Sequence, residues 1–246
     1  MLQSTNRIKY IIEDYKPHVL GISETRFEYD HNIVDVEIEQ YDVYFAKTLE
    51  NSMLKTSRCA VSVHKDVVVK ERRDLMNDTF TSVWLELGLP NQKKILVCNF
   101  YREWQYMHQG ADNSSLTIPA QLAMWISFLE QWEVAIMEEK EVHVLGDANI
   151  DFLKWRDTRQ PGDQDARRLH QLIVQLFDRI IPHRFAQLVT GPTRIQRRQE
   201  PSGLDHYYTN KPLTRLALSI PISMAALTIT SSLPSDTPGQ KSPTQE

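Results

Sequence analysis

Residues 142–151 read Val-His-Val-Leu-Gly-Asp-Ala-Asn-Ile-Asp, an apolar run that ends at Gly146 and is followed at once by Asp147 and Asn149. Such a run predicts a buried strand. Because alternate residues of an extended chain point the same way, the Asp147 carboxylate and the Asn149 amide are predicted to emerge side by side. A carboxylate orients water or binds a hard cation, and an amide donates to phosphate without adding negative charge. The stretch therefore predicts chemistry on a phosphate group.

The segments around this strand alternate between short apolar runs and amphipathic stretches. The patterns predict helices at 5–15, 119–139 and 164–178, and strands at 18–23, 42–46, 59–64, 82–87, 94–101, 141–145 and 204–208. Hairpin-like and crossover spacings both occur, which favours mixed sheets over a doubly wound parallel sheet. The polar segment 101–119 is long enough to form part of a cleft rim.

Composition excludes several classes of protein. The net charge of −4, from 28 basic and 32 acidic residues, argues against a protein that coats nucleic acid nonspecifically. The two cysteines, Cys59 and Cys98, lie in strand-like runs without metal-ligand spacing, which predicts buried thiols and no zinc site. With no secretory signal or membrane span in the sequence, we expect an intracellular protein of the nucleus or cytoplasm that is not secreted.

The composition changes after Pro212. The segment 213–246 is rich in Ser, Thr and Pro and contains no aromatic residue, so it cannot build much core of its own. We therefore expect one folded domain at 1–212 and a low-complexity tail at 213–246 that is disordered or foreign to the fold.

Five short motifs occur in one order along the chain. They are Gly21-Ile-Ser-Glu24-Thr-Arg26, Cys98-Asn-Phe-Tyr101-Arg102, Leu145-Gly-Asp147-Ala-Asn149-Ile-Asp151, Gly191-Pro-Thr-Arg194 and Gly203-Leu-Asp205-His-Tyr-Tyr-Thr-Asn210. Together they resemble the endonuclease/exonuclease/phosphatase superfamily, and more closely the endonuclease domain of non-LTR retrotransposon polyproteins. The resemblance covers residues 1 to about 212. It implies a four-layer sandwich in which two mixed β-sheets are flanked by helices.

The resemblance also implies a function and a set of roles. It points to a DNA-nicking phosphodiester hydrolase that uses Mg²⁺, with Mn²⁺ as an alternative, acts on DNA and needs no obligate protein partner. Glu24 would bind the metal, Tyr101 and Asn149 would contact the scissile phosphate, and Asp147 would position the attacking water. Asp205 would orient a catalytic histidine, and Asp151 would be a structural turn residue. From the residues alone, a helix-capping or surface role for Glu24 and a core role for Tyr101 remain open.

Other residues near these motifs have competing interpretations. His206 follows Asp205 directly, and neighbouring strand residues point to opposite faces, so an exposed strand position is favoured over a catalytic one. Arg102, Arg194, Arg197 and Arg198 are candidate contacts to nucleic-acid phosphates, as is the pair Arg167-Arg168. For the clusters Arg167-Arg168 and Arg194 with Arg197-Arg198, solvated surface positions without a nucleic-acid contact are an equally weighted alternative.

The sequence departs from the family pattern at both ends. The family begins with a strand that carries an Asn and ends with a Ser-Asp-His segment, whereas Ser235-Asp236 is followed here by Thr237. Read one base out of frame, the codons for Met224–Ser232 permit Gly-Gly-Ser-Asp-His-Asn-Ile-Ile. We therefore hypothesise that the tail is out of frame and that activity is weak or absent. The alternatives are a catalytically dead remnant that binds nucleic acid, or a phosphatase of the same superfamily.

Overall fold

The computed structural model describes residues 2–28, 38–46, 56–77, 79–88, 93–102, 117–154, 164–194, 201–211, 216–219 and 226–231. Its helices are α1 (Leu2–Tyr15), α2 (Ile118–Ile136) and α3 (Gln164–Arg179). Its strands are β1 (Val19–Glu28), β2 (Tyr41–Phe45), β3 (Thr56–His64), β4 (Val68–Glu71), β5 (Thr81–Gly88), β6 (Ile95–Tyr101), β7 (Glu141–Asp147), β8 (Ala186–Gln187), β9 (Asp205–Thr209), β10 (Leu216–Ser219) and β11 (Ala226–Ser231).

The strands form two sheets. The first has five strands in the order β10-β11-β1-β3-β2, and the second has six in the order β4-β5-β6-β7-β9-β8. All pairs described in the first sheet are antiparallel, whereas β6 and β7 of the second pair in parallel. A parallel pair requires a crossover, and α2 supplies it. The predicted pair of sheets with helices is confirmed, and the mixed pairing belongs to the second sheet.

The helices cover the outer faces of the sheets. Ile8 and Ile11 of α1 pack with Leu20 and Ile22 of β1, on the outside of the first sheet. On the second sheet, Phe100 of β6 contacts aromatic residues of α2: the Phe100 and Phe128 ring centroids lie 4.7 Å apart. Apolar side chains of β1, β3, β5, β6 and β7 fill the space between the sheets. The layers are therefore helix, sheet, sheet, helix.

Helix α2 begins and packs as its sequence dictates. Thr117 precedes the helix in an extended conformation, and its side chain accepts a hydrogen bond from the Ala120 N–H at 3.4 Å. Pro119 occupies the first turn, where no backbone N–H is needed. Trp125 and Trp132 are fully buried, and the Trp125 indole donates to the Leu172 carbonyl of α3.

The segment after Pro212 differs from the expectation of a tail foreign to the fold. Its residues 226–231 form β11, which pairs antiparallel with β1 from Val19 to Ile22, and 216–219 form β10 beside it. Strand pairing uses backbone donors and acceptors that nearly every residue supplies, so a poor apolar composition does not prevent it. The domain boundary at 212 stays a prediction.

Two further expectations have different outcomes. Cys59 and Cys98 are buried free thiols, as predicted. The predicted cleft-rim loop lies almost wholly outside the described residues. Among the helices that are described, none combines the length and the apolar character needed to cross a bilayer.

Candidate active site

Three of the predicted site residues are terminal residues of neighbouring strands of the second sheet: two end their strands and the third begins its strand. Tyr101 of β6 is the register partner of Asp147 of β7, and Asp147 is the register partner of Asp205 of β9. Laterally paired residues project from the same face of a sheet. Asn99, two residues before Tyr101 on that face, donates to the Ile22 and Ala60 carbonyls of the first sheet. Tyr101, Asp147 and Asp205 therefore lie at one end of the layer between the sheets.

Gly146 makes this arrangement possible. Its φ of 149° is one that residues with a side chain rarely adopt, and a Cβ there would lie 2.0 Å from the Phe100 carbonyl oxygen. The backbone of β7 thus approaches β6 more closely than a residue with a side chain would allow. Asp147 follows immediately and is buried.

Asp147 and Asn149 are neighbours for a different reason from the one predicted. The strand ends at Asp147, and Asn149 has a left-handed φ of 47°, so strand alternation does not extend to it. Instead, the Asn149 backbone N–H donates to Asp147 Oδ1 at 2.7 Å. The Asn149 side-chain amide donates to the Arg102 carbonyl at 2.8 Å. A turn, and not a continued strand, holds the pair.

Arg102 supports this turn from inside the protein. Its side chain donates to the carbonyl oxygens of Ala148 and Asn149, the latter at 2.6 Å, and to Gln121 Oε1 at 2.9 Å. Only 1% of Arg102 is exposed. The prediction that Arg102 contacts nucleic acid is therefore wrong, because a guanidinium enclosed by backbone carbonyls has no surface to offer a phosphate.

Asp205 is held by the segment before its strand. The Thr193 hydroxyl accepts hydrogen bonds from the Leu204 and Asp205 backbone N–H groups, both at 3.1 Å. Arg194, next to Thr193, is exposed and pairs with Ser202 through the backbone. Its exposure is compatible with the predicted nucleic-acid contact, which stays a prediction. Arg197 and Arg198 lie outside the described residues.

Asp151 is the structural turn residue that the sequence predicts. Its Oδ1 accepts hydrogen bonds from the backbone N–H groups of Leu153 and Gly203, both at 3.1 Å. These bonds tie the segment after β7 to the segment before β9. They therefore help to fix the separation of the Asp147 and Asp205 ends of the two strands.

His206 lies on the opposite face of β9 and is buried, so the expected exposed position is wrong. Its Nε2 lies 2.9 Å from the Ile150 carbonyl oxygen, and its Nδ1 lies 2.8 Å from the Tyr208 hydroxyl. A carbonyl only accepts, so Nε2 carries the proton and Nδ1 accepts from Tyr208. Burial lowers the pKa of His206 to about 4. The ring is neutral at pH 7 and engaged away from Asp205.

The Glu24 side chain lies outside the described residues, but its backbone position is known. Ser23 pairs with Cys59 and Phe27 with Ser57, so residues 24–26 of β1 face a single residue of β3. This bulge is next to the site, because the Ser23 hydroxyl donates to the Phe100 carbonyl at 3.3 Å. Bulges are frequent beside active sites, where they terminate regular pairing.

Arg58, the residue opposite the bulge, is a site residue that the motifs did not reveal. Its Nη2 donates to the Tyr101 hydroxyl oxygen at 3.1 Å, and its Cζ lies 4.8 Å from the Tyr101 ring centroid. The one signal in the sequence was a charged residue inside the otherwise apolar and small run of β3. Its contact with a residue 43 positions away could not be read from spacing.

The described residues fit a hard divalent cation in their chemistry. Asp147 and Asp205 place two carboxylates on adjacent strands, and Mg²⁺ is commonly bound through one or two carboxylates and several waters. Within the described part of the chain, no group of three or more His, Cys, Asp or Glu residues is arranged to hold a metal ion. The carboxylate oxygens of Asp147 and Asp205 are of the donor type that Mg²⁺ and Mn²⁺ prefer. The predicted ligand Glu24 does not enter this comparison, because its side chain lies outside the described residues.

Comparison with solved structures identifies the fold. The endonuclease domain of TRAS1, a telomere-specific non-LTR retrotransposon, superposes with a TM-score of 0.60 at 17% identity, over 92% of this chain and 90% of that one. An AP endonuclease from Archaeoglobus fulgidus gives 0.53 at 15% identity, over 92% of each chain. ANGEL2, a 2′,3′-cyclic phosphatase, gives 0.53 at 13% identity, over 92% and 77%.

These similarities establish the architecture. The chain has the endonuclease/exonuclease/phosphatase fold that its five motifs predicted. No family model and no curated protein sequence matches the chain.

Proposed function

We propose that this chain is a metal-dependent phosphodiester hydrolase that nicks DNA, like the endonuclease domain of a non-LTR retrotransposon. The observation that carries the proposal is the alignment of Tyr101, Asp147 and Asp205 at one end of the layer between the sheets. The fold supports a hydrolase of phosphate esters, since its structural neighbours include nucleases and phosphatases. DNA as the substrate rests on the motif resemblance.

In this proposal each residue has a separate task. Asp147, whose Oδ1 is fixed by the Asn149 N–H, orients the attacking water. The Tyr101 hydroxyl and the second N–H of the Asn149 amide donate to phosphate oxygens, and Asp205 lies beside Asp147 as a supporting carboxylate. Glu24, with the carboxylates beside it, would hold Mg²⁺ or Mn²⁺. The bound cation would stabilise negative charge on the phosphate.

Conversion of supercoiled plasmid to open circles in the presence of Mg²⁺ tests the proposal. We expect wild-type protein to nick the plasmid and Asp147→Asn to lower the rate by roughly a hundredfold or more, because the neutral amide no longer orients water as a base. Asp66→Asn is the matched control, since Asp66 lies in the turn between β3 and β4 and its side chain is 79% exposed. Equal rates for the two variants, or no nicking with either metal, would contradict the proposal.

The same assay examines the predicted weak activity. The observation that favours a remnant is the position of His206, which is engaged on the face opposite Asp205 and is not available to it. A remnant that binds nucleic acid would retard the plasmid without nicking it. Phosphate release from a nucleotide or phosphoinositide, without nicking, would identify a phosphatase instead, a function that the fold also supports.

A further inference from the structure

His206 and the site residue Asp205 are neighbours in β9 whose side chains lie on opposite faces of the second sheet. Asp205 is the register partner of Asp147, at the end of the layer between the sheets. His206 lies on the other face, where its Nε2 is 2.9 Å from the carbonyl oxygen of Ile150, in the turn after β7. The ring of Phe152, just beyond this turn, packs against the His206 ring with centroids 5.7 Å apart. Strand β9 therefore meets the segment around Asp147 on both faces of the sheet.

Three consecutive carbonyl groups in the turn after β7 accept hydrogen bonds from buried side chains. Arg102 donates to the carbonyls of Ala148 and Asn149, and His206 donates to the next one, that of Ile150. The exposed fractions of Arg102 and His206 are only 1% and 2%, so water does not replace these bonds. Rotation of the Ile150 carbonyl would leave a buried imidazole N–H without its acceptor. The hydrogen bond of His206 therefore resists movement of the turn.

Tyr208 fixes the tautomer of His206 that this hydrogen bond requires. Its hydroxyl lies 2.8 Å from His206 Nδ1 and donates to it, which leaves the proton of the neutral ring on Nε2. Tyr208 is itself fully buried, beneath Trp132 of α2. The contact between Tyr208 and His206 therefore directs the Nε2–H group at the turn.

Burial keeps the His206 ring neutral near pH 7. It lowers the pKa of His206 to about 4, although the Ile150 and Gly203 carbonyls favour the charged ring. Among the charged groups around the ring, Arg102 disfavours its protonation and Asp151 favours it, and both effects are smaller than that of burial. His206 therefore acts on the turn as a neutral hydrogen-bond donor.

The conformation of the turn determines where the Asp147 carboxylate lies. The Asn149 backbone N–H donates to Asp147 Oδ1 at 2.7 Å, and Asn149 directly precedes Ile150. A shift of the Ile150 peptide group would therefore redirect the Asn149 N–H and, with it, the carboxylate. A displacement of about 1 Å at a reacting group costs on the order of a hundredfold in rate, so such a shift matters to catalysis.

We propose that His206 is a positioning residue that holds the Ile150 carbonyl and thereby aims the Asp147 carboxylate. Its influence passes through the backbone of the turn, and Tyr208 sets the tautomer of its ring. The effect on hydrolysis rests on the proposed function. The effect on the turn does not, because it requires only the hydrogen bonds of the turn.

Hydrogen exchange of the Asn149 backbone N–H, measured by NMR, tests the effect on the turn without any need for activity. His206→Phe keeps a ring of similar size but loses the donor. We expect it to speed this exchange about three- to tenfold, as is typical when one hydrogen bond is lost. His206→Gln should restore slow exchange, because its amide can donate to the Ile150 carbonyl and accept from Tyr208.

His143→Phe is the matched control. His143 is also a fully buried histidine of the second sheet, but it bonds Tyr207 and Glu141 and does not contact the turn. We expect this variant to lower the denaturation midpoint and to leave exchange of the Asn149 N–H unchanged. Faster exchange of equal size in His143→Phe and His206→Phe would overturn the inference, because general destabilisation would then explain both.

The plasmid assay tests the consequence for catalysis. His206→Phe should lower kcat roughly tenfold and leave KM nearly unchanged, because Asp147 acts on the attacking water and not on binding of the DNA. His206→Gln should recover most of the lost kcat, which a purely structural role of the ring would not predict.

The outcomes distinguish this inference from the proposed function. Exchange that depends on His206, in a protein that does not nick plasmid, would support the inference and contradict the proposed function. Nicking by the wild type, with exchange and kcat unchanged in His206→Phe, would overturn the inference alone. If His206→Phe does not fold, the ¹⁵N chemical shifts of the wild-type imidazole decide: a proton on Nε2 supports the inference, and a proton on Nδ1 overturns it.

Discussion

Single residues at the site act mainly by fixing the backbone. Asn149 adopts a left-handed conformation, Arg102 binds the carbonyls of the turn, and Gly146 lets β7 approach β6. Arg102 and Gly146 have this effect without contacting a substrate, and the Asn149 backbone N–H has it in addition to the proposed role of the Asn149 amide. Their common effect is to hold Asp147 in one position at the end of its strand.

Gly146→Ala should destabilise the protein severely. The methyl group would meet the Phe100 carbonyl oxygen, which belongs to a buried strand and cannot move aside. We expect a loss of about 2–5 kcal/mol in the free energy of unfolding, from backbone strain and overpacking together. Urea denaturation followed by circular dichroism measures it.

Gly191→Ala is the matched control for this substitution. A Cβ at Gly191 meets no atom within 4 Å, and its φ is unstrained. The change should alter the free energy of unfolding by less than about 0.5 kcal/mol. A Gly146→Ala variant as stable as the Gly191→Ala variant would show that β6 and β7 are not as closely packed as described.

At the scale of elements, an ion cluster ties the end of α2 to the second sheet. Glu86 of β5 is buried and accepts hydrogen bonds from Lys94 and Lys140, and Lys140 also bonds Glu138 just beyond α2. Arg72, after β4, pairs with Glu138 as well. The cluster joins four segments that are far apart in the chain, at the end of the sheet away from the site.

Glu86→Gln should show how much this cluster contributes. Hydrogen bonds from Lys140 and Lys94 lower the pKa of Glu86 to about 2, against an ordinary value of 4.5. The carboxylate therefore stabilises the fold above pH 4.5, and this contribution is lost as the pH falls from 4.5 towards 2. We expect Glu86→Gln to cost about 1–3 kcal/mol at pH 7.

The thermal denaturation midpoint, followed against pH, measures this effect. The difference between wild type and Glu86→Gln should shrink as the pH approaches 2. Glu139→Gln serves as the control, because Glu139 lies in the exposed turn after α2. A difference that stays constant from pH 7 to pH 2.5 would rule out an ionised Glu86 as its source.

Elements with a strong local pattern could be predicted from the sequence, and others could not. Strands β5, β6 and β7 begin and end within two residues of their predicted bounds, because each is a continuous apolar run. Strand β4 was missed because its residues alternate between exposed and half-buried at a sheet edge. Strands β10 and β11 were missed because their pairing depends on a partner some 200 positions away, as in Val19 with Ile229.

In the candidate site, too, some features could be predicted from the sequence and others could not. That Tyr101, Asp147 and Asp205 belong to one site was implied by the motif resemblance, whereas their pairing register could be read only from the structure. The turn at Asn149 and the contact of Arg58 with Tyr101 could not be predicted, because they depend on backbone conformation and on the distance between sheets. Arg102 was misassigned because a charged residue after a strand is usually solvated.

For the whole molecule, the decisive contact is the one between the two sheets. Asn99 is 1% exposed and donates to the Ile22 and Ala60 carbonyls at 3.0 and 2.9 Å. Gly21 allows this closeness, since a Cβ there would lie 2.2 Å from Leu145 Cδ1. The distance between Arg58 and Tyr101 therefore depends on the contact between Ala60 and Asn99, two residues along the same strands, and on the Gly21 contact between the neighbouring strands β1 and β7.

Asn99→Asp and Asn99→Leu should separate these effects. Asn99→Leu removes two hydrogen bonds in the interior and should cost about 1–3 kcal/mol in the free energy of unfolding. Asn99→Asp should cost more at pH 8 than at pH 5, because an ionised carboxylate would face two carbonyl oxygens. Urea denaturation at both pH values measures the difference, and a pH-independent cost for Asn99→Asp would contradict the inferred contacts.

The order of the strands has a consequence for how the protein is made. Residues 68–209 contain all six strands described in the second sheet. Strand β1 pairs with β3 on one side, but its neighbour on the other side, β11, is formed only by residues 226–231. During synthesis on the ribosome, one edge of β1 thus stays open after the candidate site's other strands have emerged. An unpaired edge can pair with other chains, so the nascent protein is most exposed to aggregation until β11 leaves the exit tunnel.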